Sequence, residues 1–587
     1  MTGPGPRLGG KPHGSSSHGG GVRGEGGPVR SSMFEGRFGR IFRTLPPAEF
    51  DPAALQALAA QGNMSSQPEA QDGKPAAAAE DPRTRFHDAE ENAGIDAGYT
   101  YLGQFIDHDI TFDPASSLDR QNDPDALVDF RTPRLDLDSL YGRGPDDQPY
   151  LYTSDGRRFL LGRELLEGTA VRTRDLPRFE WSEDAEGRQS ATGATVFQRA
   201  LIGDKRNDEN VIVSQLHGAM LQFHNRLADD HPEWSFAQVQ RQVRWHYQYV
   251  VLHDFLGRIV GRPMVESVLP HLAHGGGYRI VDHPPRFRAY HPRRDSFIPI
   301  EFTGAAYRFG HSMVRPIYRL SQTLEVFDED PRIRADEEKR GLSGRLFVFA
   351  GVRNRGLNGF GAFPRDWAID WSLFFDIGGS GARVGKARVQ PAYKIDTSLV
   401  NPLAFLPEFS VVNGEPPLTL KNLQAAPRTP PQIANLAERN LRRGVALGLP
   451  SGQDVARSLG EEPLPDSEIL VGKATWEDAF QNKANRTLAS IAPGFAGKAP
   501  LWCYVLAEAE AVWMRQVRES GKKEDQADQI PIRLGPVGGR IVAETLIGLL
   551  WGDPSSFLRQ DPAWTPSVPA AGAVFTIGDL IRYALKL

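Results

Sequence analysis

Long helical patterns dominate the distribution of hydrophobic and polar residues along this chain. The stretch 211–228, "VIVSQLHGAMLQFHNRLA", has apolar residues at the spacing of a largely buried helix, namely Val213, Leu216, Met220, Leu221 and Leu227. A second helical pattern follows over 235–261 and closes on a glycine. Two long helices in succession predict a core built mainly from helices.

The same pattern returns near the C-terminus, over 499–520 and 538–552, whereas strand-like alternation is rare and short. No internal repeat is visible. The 587 residues include 60 glycines and 45 prolines, a high share that indicates long irregular connections. We therefore predict a mainly α fold with long loops and few short strands.

Composition also suggests how the chain is divided. The length allows one large domain or several smaller ones. Residues 1–32 are rich in glycine, serine and histidine and predict a disordered tail, while 61–85 is polar and rich in small residues and predicts a mobile insertion. We place no boundary at the insertion and interpret 33–587 as a single domain.

Charge and cysteine content exclude several classes of protein. The formal net charge is −5 and lysines and arginines form no long block, so nothing indicates binding to nucleic acid. The single cysteine, Cys503, excludes intramolecular disulfides and fits a reducing compartment, although an exported bacterial-type protein can also lack them. The N-terminus has no apolar signal-peptide region and no apolar run is long enough to span a membrane. We expect a soluble protein, either cytoplasmic or exported by another route.

Candidate chemistry begins in "YLGQFIDHDITFDP", 101–114, where polar residues interrupt an apolar run. If this stretch is helical, Gln104, Asp107 and His108 project from one face. Asp109 points about 100° away from His108. Taken alone, these residues are better explained by a helix whose polar face meets solvent, although the apolar flanks weaken that explanation.

Two further clusters carry candidate groups. In "GDKRNDEN", Arg206 and Glu209 lie three residues apart at the start of the predicted helix, where acidic residues are also favoured by the helix dipole alone. In "YRFGHSMVRP", His311 follows a glycine, which permits close approach of a flat group, and lies between Arg308 and Arg315, which can bind carboxylates. Each cluster is weak evidence when it is considered separately.

Together these motifs resemble the animal-type haem peroxidases of the peroxidase-cyclooxygenase superfamily. The resemblance runs from about residue 33 to the C-terminal helices, and its motifs occur in the order of the family, namely "GQFIDHDIT", "RTPRLDLDSLYG", "GDKRNDEN", "YRFGHSMVRP" and "RNLRRGVALGLPS". It implies the haem peroxidase fold, a haem b cofactor and a peroxidase that reduces hydrogen peroxide through a ferryl intermediate.

The resemblance assigns roles to matching residues on both sides of the haem. His108 matches the distal histidine, which moves the peroxide protons, with Gln104 beside it and Arg206 as the distal arginine. His311 matches the proximal iron ligand, whose ring N–H is accepted by Asn440. The remaining matches are two carboxylates that form ester bonds to haem in many members and two arginines near the haem propionates, namely Asp107, Glu209, Arg308 and Arg443.

A calcium site is also implied by the resemblance. Its expected oxygen ligands are Asp109, the Thr132 hydroxyl, the Arg134 carbonyl, Asp136 and Asp138. Such hard oxygen donors suit Ca²⁺ and are poor ligands for soft metals. An ordinary aspartate-rich turn is the alternative interpretation of "TPRLDLD".

Two departures from the family bear on the electron donor. Asn210 occupies the position where myeloperoxidase has a methionine linked to haem, so chloride oxidation is doubtful and bromide, iodide, thiocyanate or small phenols are the expected donors. The stretch "GVALGLPS" lacks the Asp-His pair of better-known members, and we find no account of its effect.

Three alternatives remain open. A fatty-acid dioxygenase of the cyclooxygenase kind needs a tyrosine three residues before the proximal histidine, where this chain has Arg308, although Tyr307 is next to that position. A non-catalytic haem or adhesion protein on the same scaffold is disfavoured, because Gln104, His108 and Arg206 are all present. A catalase-like enzyme cannot be separated from a peroxidase by sequence. Oligomeric state cannot be predicted.

Overall fold

Helices form most of the structure. The computed structural model describes residues 36–65, 90–112, 128–129, 131–165, 173–183, 195–273, 279–292, 295–324, 345–348, 356–377, 387–404, 406, 433–480, 485–521 and 529–587. The predicted tail, 1–32, and residues 66–85 of the predicted insertion lie outside the described residues.

The α-helices are, in chain order, α1 (Pro52–Ala59), α2 (Gly98–Ile110), α3 (Asp138–Tyr141), α4 (Val211–Asp230), α5 (Phe236–Tyr249), α6 (Arg262–Val268), α7 (Ile300–Gly304), α8 (Leu436–Ala446), α9 (Gly452–Leu459), α10 (Trp476–Ala479), α11 (Leu488–Ile491), α12 (Leu501–Ser520), α13 (Pro536–Gly552), α14 (Phe557–Gln560) and α15 (Ile577–Leu585). Short 3-10 segments include Lys205–Asp208 and Ala306–His311.

The strands are few and short, as predicted. They are β1 (Gly36–Gly39), β2 (Glu91–Asp96), β3 (Val128–Asp129), β4 (Glu164–Leu165), β5 (Thr173–Arg174), β6 (Arg178–Glu183), β7 (Thr195–Ala200), β8 (Ile298–Pro299), β9 (Ile317–Arg319), β10 (Arg345–Phe347), β11 (Pro391–Tyr393), β12 (Leu470–Val471) and β13 (Arg486–Thr487). In the described part of the chain, β1 pairs antiparallel with β3 and parallel with β8, and the other strands form two-stranded sheets.

The predicted long helices are confirmed, with one change of helix type. Helix α4 starts where the Asn210 side chain accepts a hydrogen bond from the Ile212 amide, and α5 starts with a capping box of Ser235 and Gln238. The pattern over 235–261 is α-helical only to Tyr249 and then continues as two π-helical segments. Hydrophobic spacing predicts the extent of such an element but not this local widening of the helix.

Buried helices support both histidine-bearing motifs. Helix α2 packs on α4, and α12 packs both on α13 and on the 3-10 segment Ala306–His311. The indole N–H of Trp502, in α12, donates to the Arg308 carbonyl at 3.2 Å. The elements that carry candidate chemistry are thus attached to the core. No helix among the described residues is long and apolar enough to cross a membrane.

Candidate active site

Helix α2 exposes one narrow strip along an otherwise buried surface. Gly103, Gln104 and Asp107 are partly exposed, whereas the residues around them are buried, including His108 and Asp109. The strip follows the helical spacing of three and four residues. Solvent therefore reaches α2 only along this strip, while the rest of the helix surface is buried.

Gln104, His108 and Glu209 meet at one carboxylate. The Gln104 amide donates to Glu209 Oε1, and the same oxygen lies 3.6 Å from His108 Nε2. Burial, with a smaller contribution from the Arg206 charge, lowers the pKa of His108 to about 3. His108 is therefore neutral at neutral pH and can accept a proton.

The other ring nitrogen of His108 has a partner that the sequence analysis missed. His108 Nδ1 lies 2.8 Å from Asn207 Oδ1, and Asn207 Nδ2 lies 3.1 Å from His217 Nδ1. Asn207 and His217 are both fully buried. A histidine among the apolar positions of α4 was the one available sequence signal, but its link to His108 is a tertiary contact.

Arg206 contacts the end of α2 through the main chain. Its guanidinium donates to the carbonyl oxygens of His108 and Thr111, at 3.0 and 2.6 Å, and pairs with Asp204 at 2.8 Å. It also lies over the Phe112 ring. The structure thus brings the predicted distal arginine to His108, with its donors directed to main-chain oxygens and to Asp204.

Asp107 and Glu209, the two carboxylates expected to link to haem, differ in hydrogen bonding and exposure. Asp107 accepts a hydrogen bond from the Thr111 hydroxyl at 3.0 Å, and burial raises its pKa while the charges of Arg206 and Arg308 oppose that shift. The Glu209 side chain is 37% exposed. Asp107 thus belongs to the partly exposed strip of α2, and Glu209 reaches this strip through its hydrogen bond from Gln104.

His311 ends the 3-10 segment Ala306–His311 and is held by Asn440 from helix α8. Asn440 Nδ2 lies 2.8 Å from His311 Nδ1, while Asn440 Oδ1 accepts from Arg308 Nη1 at 2.7 Å. The predicted pair is present, but the amide orientation differs from the prediction that Asn440 accepts the ring N–H. The reason is that a guanidinium has only donors, so the amide oxygen faces it.

The segments carrying His108 and His311 approach each other directly. The Tyr307 hydroxyl donates to the Gly103 carbonyl at 3.1 Å, which attaches the 3-10 segment to the open strip of α2. A Cβ atom at Gly310 would meet nothing within 4 Å apart from its neighbours in the same helical turn, so the space beside this residue is open. Burial and then the charge of Arg443 lower the pKa of Arg308 to about 10. Two cations therefore lie close together on the His311 side.

The predicted metal ligands Asp109, Asp136 and Asp138 also converge. Their carboxylate oxygens lie within 4.8 Å of one another, and all three residues are buried. Burial, followed by the charges of Asp136 and Asp138, raises the pKa of Asp109 well above its ordinary value. The Thr132 hydroxyl donates to Asp136 at 2.8 Å, and the Arg134 amide donates to the Thr132 carbonyl within the same turn.

A chain of ion pairs joins this acidic cluster to Arg206. Arg131 pairs with Asp138 at 3.0 Å and its Nε donates to Asp204 at 2.9 Å, and Asp204 in turn binds Arg206. Neither Arg131 nor Asp204 is a site residue predicted from the sequence. Their side chains connect the cluster of Asp109, Asp136 and Asp138 to Arg206, which contacts the His108 carbonyl.

Comparison with known proteins adds to this geometry. Residues 117–341 match the family model described as animal haem peroxidase. Among curated human proteins, a probable oxidoreductase PXDNL is 25% identical over 221 residues, covering 34% of this chain and 14% of the relative. Human myeloperoxidase is 25% identical over 142 residues, covering 23% of this chain and 17% of the relative. The matches thus span less than a fifth of the length of these two relatives.

The fold has a counterpart among solved structures. Peroxidase A from Dictyostelium discoideum aligns over 95% of this chain and 97% of its own, with a TM-score of 0.51 and 15% sequence identity. Fatty acid alpha-dioxygenase of Oryza sativa aligns over 94% of this chain and 85% of its own, with a TM-score of 0.45 and 14% sequence identity. The family match over residues 117–341 and the shared fold agree with the predicted resemblance to the animal haem peroxidases.

Proposed function

We propose that this chain is a haem-dependent peroxidase that reduces hydrogen peroxide and oxidises small anionic or phenolic donors. The observation that carries the proposal is the direct attachment of the two histidine segments, made by the Tyr307 hydroxyl and the Gly103 carbonyl at 3.1 Å. Two neutral imidazoles from distant parts of the chain are thereby carried on segments in direct contact, and the partly exposed residues of α2 lie beside that contact.

The residues on the His311 side fit a haem group. Arg308 is partly buried and lies near the like charge of Arg443, and desolvation and this charge both lower its pKa. A pair of anionic propionates would compensate these cations, because charge-assisted pairs with arginine are strong. His311 would supply an imidazole ligand for the iron once the Asn440 amide presents its oxygen, in place of the nitrogen it presents here, to His311 Nδ1. Asp107 and Glu209 are the candidates for ester links.

The residues on the His108 side fit proton transfer. When bound, haem supplies the redox chemistry that breaks the peroxide O–O bond. His108 Nε2 accepts a proton from one peroxide oxygen and returns it to the other, a positioned transfer typically worth ~10²–10⁴ in rate. The positive charge of Arg206, which lies against the His108 end of α2, would favour the developing hydroxide through its field rather than through a direct hydrogen bond.

The proposed donors are bromide, iodide, thiocyanate and small phenols. In the structure, the Asn210 side chain accepts from the Ile212 amide at 2.9 Å and so caps helix α4. An amide in this position has no sulfur to link to haem, which argues against chloride as the donor.

We also propose that Ca²⁺ binds Asp109, Asp136 and Asp138, with Thr132 and the Arg134 carbonyl completing the oxygen ligands. Three buried carboxylates within 4.8 Å of one another repel strongly unless a cation or protons neutralise them. Oxygen-only ligands favour a hard cation such as Ca²⁺.

One observation keeps the dioxygenase as a second candidate. Tyr307 is buried, contacts the open strip of α2 and experiences the Asp107 charge, so a tyrosine does lie beside the site. A tyrosyl radical formed there could abstract hydrogen from a fatty acid. Such a reaction would require oxygen uptake with a lipid substrate.

Reconstitution with haem separates these functions. The haem-loaded full-length chain should form a Soret band, and its spectrum should change with peroxide and return on addition of bromide, iodide or a phenol. Extraction in acidic organic solvent would show whether haem is covalently attached. The matched control for variants of the site histidines is His224→Phe. His224 is a buried histidine of α4 outside the site, and it hydrogen-bonds to the Tyr141 hydroxyl and the Arg157 carbonyl. Haem binding without peroxide-dependent donor oxidation would contradict the proposal, and oxygen consumption with a fatty acid would establish the second candidate.

A further inference from the structure

Asn207 occupies a buried position between two histidines. It lies in the short 3-10 segment Lys205–Asp208, and its side chain contacts His108 Nδ1 through Oδ1 at 2.8 Å and His217 Nδ1 through Nδ2 at 3.1 Å. All three side chains are almost fully inaccessible to solvent. Both ends of the amide are therefore used within the protein core.

The chemistry of the amide fixes where the ring protons lie. An amide oxygen only accepts and an amide nitrogen only donates. His108 must then carry its proton on Nδ1, which leaves Nε2 bare. His217 must have a bare Nδ1 and carry its proton on Nε2, which is buried without a hydrogen-bond partner among the described residues.

The opposite amide orientation would have the opposite effect. Asn207 Nδ2 would donate to His108 Nδ1, and the proton of His108 would move to Nε2, 3.6 Å from Glu209 Oε1. A protonated Nε2 cannot accept a proton from peroxide. The orientation of one buried amide thus decides whether His108 faces the site as a base.

We propose that Asn207, held by His217, is a positioning residue that sets the tautomer of His108 and keeps Nε2 as the bare nitrogen facing Gln104 and Glu209. The catalytic consequence rests on the proposed peroxidase function, whereas the tautomer itself does not. In the proton balance, Nε2 gains the peroxide proton, Nδ1 keeps its own proton on the Asn207 oxygen, and Nε2 then releases its proton to the leaving oxygen.

The tautomer can be read directly by nuclear magnetic resonance. Histidine labelled with nitrogen-15 distinguishes protonated from bare ring nitrogens, and the His108→Gln variant assigns the His108 signal. The sample is the purified full-length chain, reduced under carbon monoxide where haem is bound so that it is diamagnetic. The wild type should show His108 protonated on Nδ1 and His217 protonated on Nε2.

Substitution by aspartate gives a signature that a purely structural role would not produce. In Asn207→Asp both oxygens accept, so His108 keeps its Nδ1 proton while the proton of His217 moves from Nε2 to Nδ1. Asn207→Leu removes the acceptor, and His108 should become a mixture of tautomers. The matched control, His224→Phe, should leave the His108 signal unchanged.

Rates of the reaction with peroxide complete the test. Asn207→Leu should slow it by about 10- to 100-fold, because an outer partner that orients a reactive group typically has an effect of that size. Asn207→Asp should retain most of the wild-type rate. The proposal is overturned if wild-type His108 carries its proton on Nε2, or if a folded Asn207→Leu variant reacts at the wild-type rate.

Failure of the proposed function would look different from failure of this inference. A chain that never reacts with peroxide removes the peroxidase, but the ring signals of His108 and His217 still report the tautomers. If Asn207→Leu does not fold, the wild-type signals and the Asn207→Asp variant decide the question by themselves.

Discussion

The two candidate haem-facing histidines are held in the same way but with opposite polarity. Each has Nδ1 2.8 Å from the amide of a fully buried asparagine. Asn207 presents its oxygen to His108, whereas Asn440 presents its nitrogen to His311. The pairs are the same residue types at the same distance, yet they imply different tautomers.

The third partner of each amide explains the difference. The nitrogen of Asn207 meets His217, which can accept, whereas the oxygen of Asn440 meets Arg308, which can only donate. With the amides in these orientations, His108 would have a bare Nε2, whereas His311 would carry its proton on Nε2. Metal ligation requires a bare nitrogen, so ligation through Nε2 of His311 requires the Asn440 oxygen to face the ring.

The largest expected effect is on haem binding. His311→Ala removes the proposed iron ligand, so the purified chain should contain almost no haem after reconstitution, measured as Soret absorbance per chain. His224→Phe, a change at a buried histidine outside the site, should retain normal haem content. Wild-type haem content in His311→Ala would show that the proximal side has been misassigned.

Substitution of His108 should change the rate of the peroxide reaction and leave haem binding intact, the reverse of the result at His311. His108→Ala should keep haem but react with peroxide more slowly by ~10²–10⁴, the usual contribution of positioned proton transfer. Stopped-flow absorbance with peroxide in excess measures the rate constant. A variant that reacts as fast as the wild type would remove His108 from the proton-transfer step and end the functional contrast between the two histidines.

Sequence reasoning predicted those features that depend on local spacing. The start of α4 and the shared face of Gln104 and His108 follow from helical periodicity, and both are present in the structure. The convergence of Asp109 with Asp136 and Asp138 was expected from the family motif, and the structure places their oxygens together. Their roles in binding calcium and haem stay predictions.

Other features depend on tertiary contacts that no spacing encodes. Asn207 belongs to a polar run and His217 to an apolar helix face, and nothing in either pattern connects them to His108. The orientation of Asn440 likewise depends on Arg308, which is distant in sequence. The atom that each asparagine presents to its histidine depends on the third residue in contact with the amide, which is His217 for Asn207 and Arg308 for Asn440. It could therefore not be predicted from residue types alone.

Removal of the proposed calcium should slow the reaction at His108 more than it reduces haem binding at His311. Arg131 links Asp138 to Asp204, which holds Arg206, and this chain of ion pairs ends at the carbonyl of His108. Chelation should therefore slow the peroxide reaction with little loss of haem. It should also lower the melting temperature, because a ligand at 100 times its Kd stabilises by about 2.7 kcal/mol.

The calcium effect should grow with pH. The folded pKa of Asp109 is raised above its unfolded value, so without metal the folded state binds more protons and loses stability as pH rises above the unfolded pKa of about 3.9. Calcium removes this penalty, so the gain in melting temperature should be larger near ~pH 8 than near ~pH 5. Asp155→Asn, in an exposed turn, is the control. Equal melting temperatures with calcium and with chelator would contradict the site.

Two asparagine-to-aspartate variants should have the smallest effect on stability, and they test most directly the contrast between Asn207 and Asn440. In Asn440→Asp, carboxylate oxygens face both Arg308 and His311, so the proton of His311 should move from Nε2 to Nδ1. In Asn207→Asp, His108 should keep its proton on Nδ1 for the same reason. Each change should alter the free energy of unfolding by no more than about 3 kcal/mol, the range for hydrogen bonds to charged groups. The measurement is nitrogen-15 histidine resonance of the full-length chain before haem is added. If Asn440→Asp leaves His311 unchanged, the ring already carried its proton on Nδ1, and the two asparagines present the same atom to their histidines after all.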